Sequence, residues 1–474
     1  MSWQTDGDEH LQYSARDSAI TARVWEGLRR DAKDDALTAK LYGIHRELSR
    51  IAAEMHSAGI YVHRDWWQFM QTCALQERDE AEEKMKAAAG IEVHPTDDVM
   101  RALLYKRHAR DGLPCANLPD PADKRMWTDE SRDTIKVDAN SLLLLRASTD
   151  LDAATLKTIG AWATYQKKKK RYSAVRATND EGKPTKIAKA IGPDGRLRAG
   201  WNSCGTDTMR FSCRDPNVMQ YEQILRHMFA PAPGNVIIHA DKRQLEIRVM
   251  AVVAADMVLM DAIDGGDVYS AEACDYFNLD PATFDPDGNK ADKNARKAAK
   301  IIRLARQYGA GKQTVFMQAL RQDSSFTFQQ ALLLSAKFDK RYYRTVRYWQ
   351  EEMERVLATG YSEGRLLGGR RYYARPPELS ETVNFPIQRT AAEMMNQEMI
   401  ELDARLKREV PKARIIIQLH DAIDVECPER DEEAVCRIVT EVMDRSWTFC
   451  GLTRAFPIEL KVARASEGGT WADV

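Results

Sequence analysis

Hydrophobic positions recur at helical spacing between Ser14 and Ile60, first as Ala19, Ala22, Trp25 and Leu28, then as Leu41, Ile44, Leu48, Ile51 and Met55. Gly59 closes the second run, so two helices are predicted. Residues 65–175 keep the same period, with a break from Leu113 to Pro121 where three prolines follow Gly112, and they close on the run Lys167 to Arg171. Thr178 to Gly195, rich in Gly and Pro, reads as a loop, and a boundary is expected near 180–195.

The pattern then changes. Val236, Ile237 and Ile238 form a β-branched run after Pro233-Gly234, and helical spacing resumes from Leu245 to Met260, which places Asp241 between a strand and a helix. Ile415 to Leu419 is a second strand, and Ile423, Val425 and Cys427 alternate with Asp424 and Glu426 to make a third. The two predict a β-hairpin with Asp421 at its tip.

The 474 residues exceed one ordinary domain, so two to four units are expected, and 44% apolar residues suffice for sizeable cores. Lys plus Arg number 70 and Asp plus Glu 71, so nucleic-acid contact would need local basic patches. The eight cysteines include no Cys-x-x-Cys pair and no zinc spacing, which favours free thiols in a reducing, cytoplasmic compartment. No apolar window reaches membrane-span length, and no P-loop, Gly-x-Ser-x-Gly or His-Glu-x-x-His motif occurs.

A carboxylate at a buried strand end is costly unless it is paired or holds a metal. Asp241 and Asp421 are two such groups, and joined by the fold they would make a divalent-cation site suited to Mg²⁺. Between them, Arg296, Lys300, Leu304 and Tyr308 recur every four residues along an expected helix from Asn294 to Gly309, with Arg303 and Arg306 widening its basic character. Such a face can grip a triphosphate or simply be solvated. The run Lys167, Lys168, Lys169, Lys170 suits a phosphate backbone.

Asp241-Lys-Arg-Gln-Leu-Glu-Ile-Arg248 resembles the first palm motif of the family A DNA polymerases, the DNA polymerase I family. Arg296-x3-Lys300-x7-Tyr308-Gly309 resembles its fingers helix, and Gln418-Leu-His-Asp421 its second palm motif, in the family's order. Thr208-Met-Arg210-Phe-Ser212, Asp215-Pro-Asn217, Gly368-Gly-Arg370-Arg371-Tyr372 and Asn384-Phe-Pro-Ile-Gln388 extend the likeness over about residues 40–474. The resemblance implies an α+β, right-hand architecture: palm entry at 37–64, a helical thumb at 65–195, palm at 196–242, helical fingers at 243–380 and palm again at 381–474. It further implies primer-template DNA and dNTPs as partners and two Mg²⁺ ions on Asp241 and Asp421. Arg296 and Lys300 would bind the triphosphate, Lys300 also serving as proton donor, and Tyr308 would stack near the nascent pair. Glu246 matches the steric gate against a ribose 2′-hydroxyl. Arg210, Asn217, Asn384, Gln388 and His420 match positions that contact primer, template or minor groove.

Three departures stand out: Ala422 where the family has Glu, Leu304 at the sugar-sensing aromatic position, and Ser380 where an Arg is common. Tyr13-Ser-Ala-Arg-Asp17 resembles the last motif of the family's 3′–5′ exonuclease domain, so residues 1–36 are expected to be a remnant of it. The expected enzyme then lacks intrinsic proofreading, and a split polymerase with a separate exonuclease polypeptide, as in some bacteriophages, is one reading; the location would be the host cytoplasm. Two rivals remain. A single-subunit RNA polymerase shares the two aspartates, but Glu246 opposes it; an inactive nucleic-acid-binding homologue would fit Ala422, but not the intact set Asp241, Asp421, Arg296, Lys300 and Tyr308.

Overall fold

The structure, a computed structural model, describes residues 36–128, 134–322 and 326–474. The expected exonuclease remnant, with Tyr13 and Asp17, lies outside the described residues. At the centre is a four-stranded antiparallel sheet of β1 (Asn235–Lys242), β2 (Arg414–Leu419), β3 (Ala422–Pro428) and β4 (Ile458–Arg464), in the order β4-β1-β3-β2. The β-branched run of β1 fits a strand covered on both faces: Val236, Ile238 and Ala240 join the main apolar cluster, while Ile237 joins a second one with Ile416, Ile417 and Trp471.

Helix α1 (Ala36–Ala58) packs against the sheet at β2. From it a long antiparallel pair projects, α2 (Arg64–Ala89) and α5 (Ala153–Val175), carrying α3 (Asp97–Leu104) and α4 (Ala139–Ser148) at its far end. Their caps are conventional: the Thr96, Asp138 and Asp152 side chains accept first-turn N–H groups, and Gly90 ends α2 at φ +65°. The far end has its own core around Met85, Met100, Leu103, Trp127, Trp162 and Tyr165. The expected loop at Thr178–Gly195 contains one short helix, Lys186–Ala190.

On the other side, α6 (Leu245–Ala254), α7 (Met257–Asp264), α8 (Val268–Phe277), α9 (Lys290–Arg306), α10 (Lys312–Gln322), α11 (Phe328–Arg341) and α12 (Tyr343–Thr359) form a helical lobe. Helix α13 (Leu379–Glu409), 31 residues with Pro386 in its interior, runs beneath the sheet and joins lobe to centre, and α14 (Glu432–Met443) packs beside it. No helix among the described residues is long and apolar enough to cross a membrane.

One buried contact fixes the end of β1. Lys242, 1% exposed, donates to Glu398 Oε1 on α13 at 2.7 Å, to the Phe456 carbonyl at 3.2 Å and to the Met443 carbonyl, while Trp447 Nε1 donates to the same carboxylate at 2.9 Å. Burial pushes the ammonium down and the carboxyl up from their ordinary values. Removing one partner strands a charge in the core. Lys242→Met is expected to lower unfolding free energy by about 3–5 kcal/mol in urea titrations, and Lys242→Met with Glu398→Met to recover most of that loss.

Candidate active site

Residues along a strand alternate in direction, so with Lys242 turned into the core Asp241 is turned to the opposite face of the sheet. Asp241 pairs across the sheet with Ala422, and the Lys242 N–H donates to the Asp421 carbonyl at 3.0 Å. The two aspartates therefore stand together where β1 ends and β3 begins, and Asp421 lies at the tip of the expected hairpin. His420 and Asp421 form the two-residue connection between Leu419 and Ala422, and His420 takes φ +57° there, a left-handed conformation that costs a non-glycine residue on the order of 1 kcal/mol. Gln418 Nε2 donates to the His420 carbonyl at 2.7 Å and steadies the turn.

Burial, with the charge of Asp421 next in weight, pushes Asp241 up to about 6. Asp421 is also raised, by burial first, with the negative charge of Glu246 adding to it. Among the described residues no ion pair neutralises either carboxylate, and no group of three His, Cys, Asp or Glu side chains is arranged as a metal cage. Two repelling, oxygen-only donors on rigid strand ends suit one or two hard divalent cations completed by water and substrate oxygens. Ala422 supplies no third donor.

Glu246, in the first turn of α6, is bridged by the Arg210 guanidinium, which comes from the loop after the Gly200–Asn202 strand. This brings Arg210, Glu246 and Asp421 into one corner. Asn384 and Gln388 lie one turn apart on α13, and Asn384 Oδ1 is buried without a hydrogen-bond partner. Asn217 lies apart from them, lining with Lys170 a groove of about 540 Å³ at the base of the α2–α5 arm; its Oδ1 is likewise unpartnered. On α5, Lys167, Lys169 and Lys170 are exposed, while Lys168 pairs with Glu77 at 2.9 Å.

Helix α9 departs from the sequence reading in two ways. It ends at Arg306, because Gly309 at φ +72° turns the chain away, so Tyr308 lies beyond the helix with its hydroxyl buried and unpartnered. Arg303 and Arg306 do not widen the cationic face: Arg303 is fully buried against Glu272, and Arg306 is bridged to Asp339. The burial cost of a guanidinium is met by carboxylates 31 and 33 residues away, which a spacing argument along α9 cannot see. Arg296, Lys300 and Leu304 remain accessible, Leu304 at 40% exposure.

Sequence reasoning missed Asp267 and Tyr269. Asp267 Oδ2 lies 2.6 Å from Arg296 Nε, and the Tyr269 ring has Arg296 Cζ and Lys300 Nζ at 5.6 and 5.5 Å. The available signal was the Asp that opens α8, an N-cap signature whose carboxylate was free to do more than cap. Also missed were the buried faces of β1 and β3, where His239 Nδ1 is 2.5 Å from Asp424 Oδ1 and Trp471 Nε1 donates to Asp424 Oδ2 at 3.1 Å.

A sheet bearing two acids, a helical arm on one side and a helical lobe carrying paired cations on the other make up an α+β right-hand polymerase fold, with palm, thumb and fingers. The chain belongs to DNA polymerase family A, whose sequence model matches residues 77–473. It is 29% identical over 311 residues to DNA polymerase I of Bacillus caldotenax, covering 60% of this chain and 32% of that protein. It is 31% identical over 277 residues to the thermostable DNA polymerase I of Thermus filiformis (53% and 30%), and 25% identical over 484 residues to that of Thermus caldophilus (97% and 52%). The chain thus spans about a third to a half of the length of these relatives. The POL domain of Pol1 from M. smegmatis, in complex with DNA primer-template and dNTP, shares the fold at a TM-score of 0.71 and 20% identity, over 90% of this chain and 70% of that one.

The raised Asp241 has a thermodynamic consequence. Its folded value, about 6, lies above the unfolded value near 3.9, so its contribution to stability is full below the unfolded value and is lost as pH rises through about 6. Without metal, Asp241→Asn is therefore expected to be more stable than wild type at pH 8 by about 1–2 kcal/mol, after allowance for solvent screening, with the difference closing toward pH 4. Urea melts in EDTA at several pH values check this; equal stabilities throughout would contradict it.

Proposed function

We propose that this chain is a template-directed DNA polymerase that adds dNTPs to a primer 3′-hydroxyl by metal-assisted phosphoryl transfer. The observation that carries the reading is the convergence of Asp241 and Asp421 at adjoining strand ends, in a chain whose helical lobe carries Arg296 and Lys300 accessible on α9. Asp241 and Asp421 would hold the ions, with Mg²⁺ the cation that all-oxygen donors favour. When bound, two such ions would activate the primer hydroxyl and neutralise charge on the triphosphate and leaving pyrophosphate.

The remaining work falls to the chain's own side chains. Arg296 and Lys300 grip the triphosphate, and Lys300 is the side chain that would protonate the pyrophosphate oxygen as it leaves. Glu246, braced by Arg210, fills the space a ribose 2′-hydroxyl would need; Leu304 and Tyr308 border the sugar and base. Arg210, Asn384, Gln388 and His420 serve the primer-template near the reacting end, and Asn217 with Lys167, Lys168, Lys169 and Lys170 serves the duplex along the thumb. In this reading the thumb occupies 65–195, the fingers 243–380, and the palm 37–64, 196–242 and 381–474. A separate exonuclease polypeptide as partner rests on the Tyr13 to Asp17 resemblance alone.

Primer extension with dNTPs and rNTPs in parallel tests the reading. Wild type is expected to extend with dNTPs, and Asp241→Asn or Asp421→Asn to lose at least a hundredfold in rate while binding primer-template within threefold of wild type. Extension by either variant within tenfold of wild type would remove the two-carboxylate assignment. Glu246→Ala is expected to narrow the dNTP-over-rNTP preference at least tenfold, measured as the ratio of kcat/KM values; an unchanged ratio would place the gate elsewhere.

A further inference from the structure

Helices α8 and α9 lie against each other, and their facing side chains form a ladder of charge and ring contacts. At its closed end Arg303 of α9 and Glu272 of α8 are both fully buried and bonded to each other, and the Tyr342 hydroxyl donates to the same carboxylate at 2.9 Å. A buried ion pair of this kind tolerates no slip between the helices, since a one-residue shift would strand both charges. One turn outward, the Tyr269 ring serves Lys300 and Arg296 together, 5.5 Å from the ammonium and 5.6 Å from the guanidinium carbon. At the open end Asp267, the N-cap of α8, accepts from Arg296 Nε at 2.6 Å and from Ser270 Oγ at 2.5 Å, and its second oxygen accepts the Tyr269 N–H at 3.2 Å.

The geometry of a guanidinium gives that contact a meaning. Arg has five N–H donors in a planar fork; a carboxylate on Nε fixes the plane of the fork and leaves the Nη donors to meet another anion. An unrestrained arginine on an exposed helix face would lose much of its rotamer freedom at the moment of binding. Arg296 is 37% exposed and Asp267 34%, so an anion arriving from solvent can reach the pair.

We infer that Asp267 is a positioning residue for the incoming nucleotide: it holds the Nε edge of Arg296, while Tyr269 keeps Arg296 and Lys300 at a fixed spacing, so that both cations are preorganised for a triphosphate. The inference rests on the polymerase reading and deepens it. Burial works against the Asp267 charge, but the hydrogen bonds from Arg296 and Ser270 outweigh it and hold the carboxyl below its ordinary range, which keeps Asp267 ionised for this task.

The informative substitution is Asp267→Asn, because asparagine caps a helix as well as aspartate does and the fold of α8 is kept while the charge is removed. Steady-state single-nucleotide insertion on a primer-template is expected to show KM for the dNTP raised about tenfold with kcat within threefold of wild type, and the inhibition constant of pyrophosphate raised in parallel. In an Arg296→Ala background the same substitution is expected to change KM by less than twofold, since there is nothing left to position. Tyr269→Ala, which removes the ring both cations rest on, is expected to raise KM as well.

An Asp267→Asn KM within twofold of wild type, or a KM that falls because Asp267 competes with the nucleotide for Arg296, would overturn the inference while leaving the polymerase reading intact. An undiminished effect in the Arg296→Ala background would also overturn it. Absence of any primer extension by the wild-type chain would overturn the polymerase reading, and the inference with it.

Discussion

The ammonium of Lys242 is the constraint around which the Asp241 end of the sheet is arranged. An isolated charge in a protein interior costs several kcal/mol, and Lys242 meets that cost with Glu398 and two backbone carbonyls contributed by three separate segments. Because neighbours on a strand face opposite ways, this lysine decides where Asp241 points. A slip of one residue would bring Asp241 into a site built for a cation and expose the lysine, so the pair selects one register. Arg303 with Glu272 does the same for the fingers, fixing α9 on α8 and with it the outward direction of Arg296 and Lys300. Each of the two clusters, Asp241 with Asp421 and Arg296 with Lys300, thus sits a step or a turn away from a buried ion pair that fixes its arrangement.

How far the sequence could be read depended on how local the deciding interaction was. The strand carrying Asp241, the hairpin presenting Asp421 and the helix carrying Arg296 and Lys300 were legible because alternation, β-branching and four-residue spacing are properties of consecutive residues. The fates of Arg303 and Arg306 were not. On the helix they carry the same charge as Arg296, and only carboxylates in other helices distinguish a buried strut from an accessible cation. Alternation of Asp424 and Glu426 with Ile423, Val425 and Cys427 marked the strand but carried nothing about their partners: both are buried, held by His239 and Trp471 and by Arg196 and Asn235 respectively. The end of α9 before Tyr308 was signalled by Gly309, but the four-residue recurrence extended past it.

The position of Ala422 can be understood from the charges in its row of the sheet. Across β4, β1 and β3 the residues beside one another are Glu459, Asp241 and Ala422, and in the next row Lys461, His239 and Asp424. Glu459 and Asp424 already add to the negative field that raises Asp241, while His239, drawn toward its charged form by Asp424 against the opposing effect of burial, relieves it. A glutamate at 422 would place three carboxylates side by side, and like charges directly opposite one another on neighbouring strands destabilise a sheet. The alanine keeps that row at two acids and lets β3 approach β1 without further desolvated charge. With Asp424 committed to His239 and Trp471, Asp421 is the acid the hairpin turn offers beside Asp241, and a cation held between the two would complete its shell with oxygens from outside this row of the sheet.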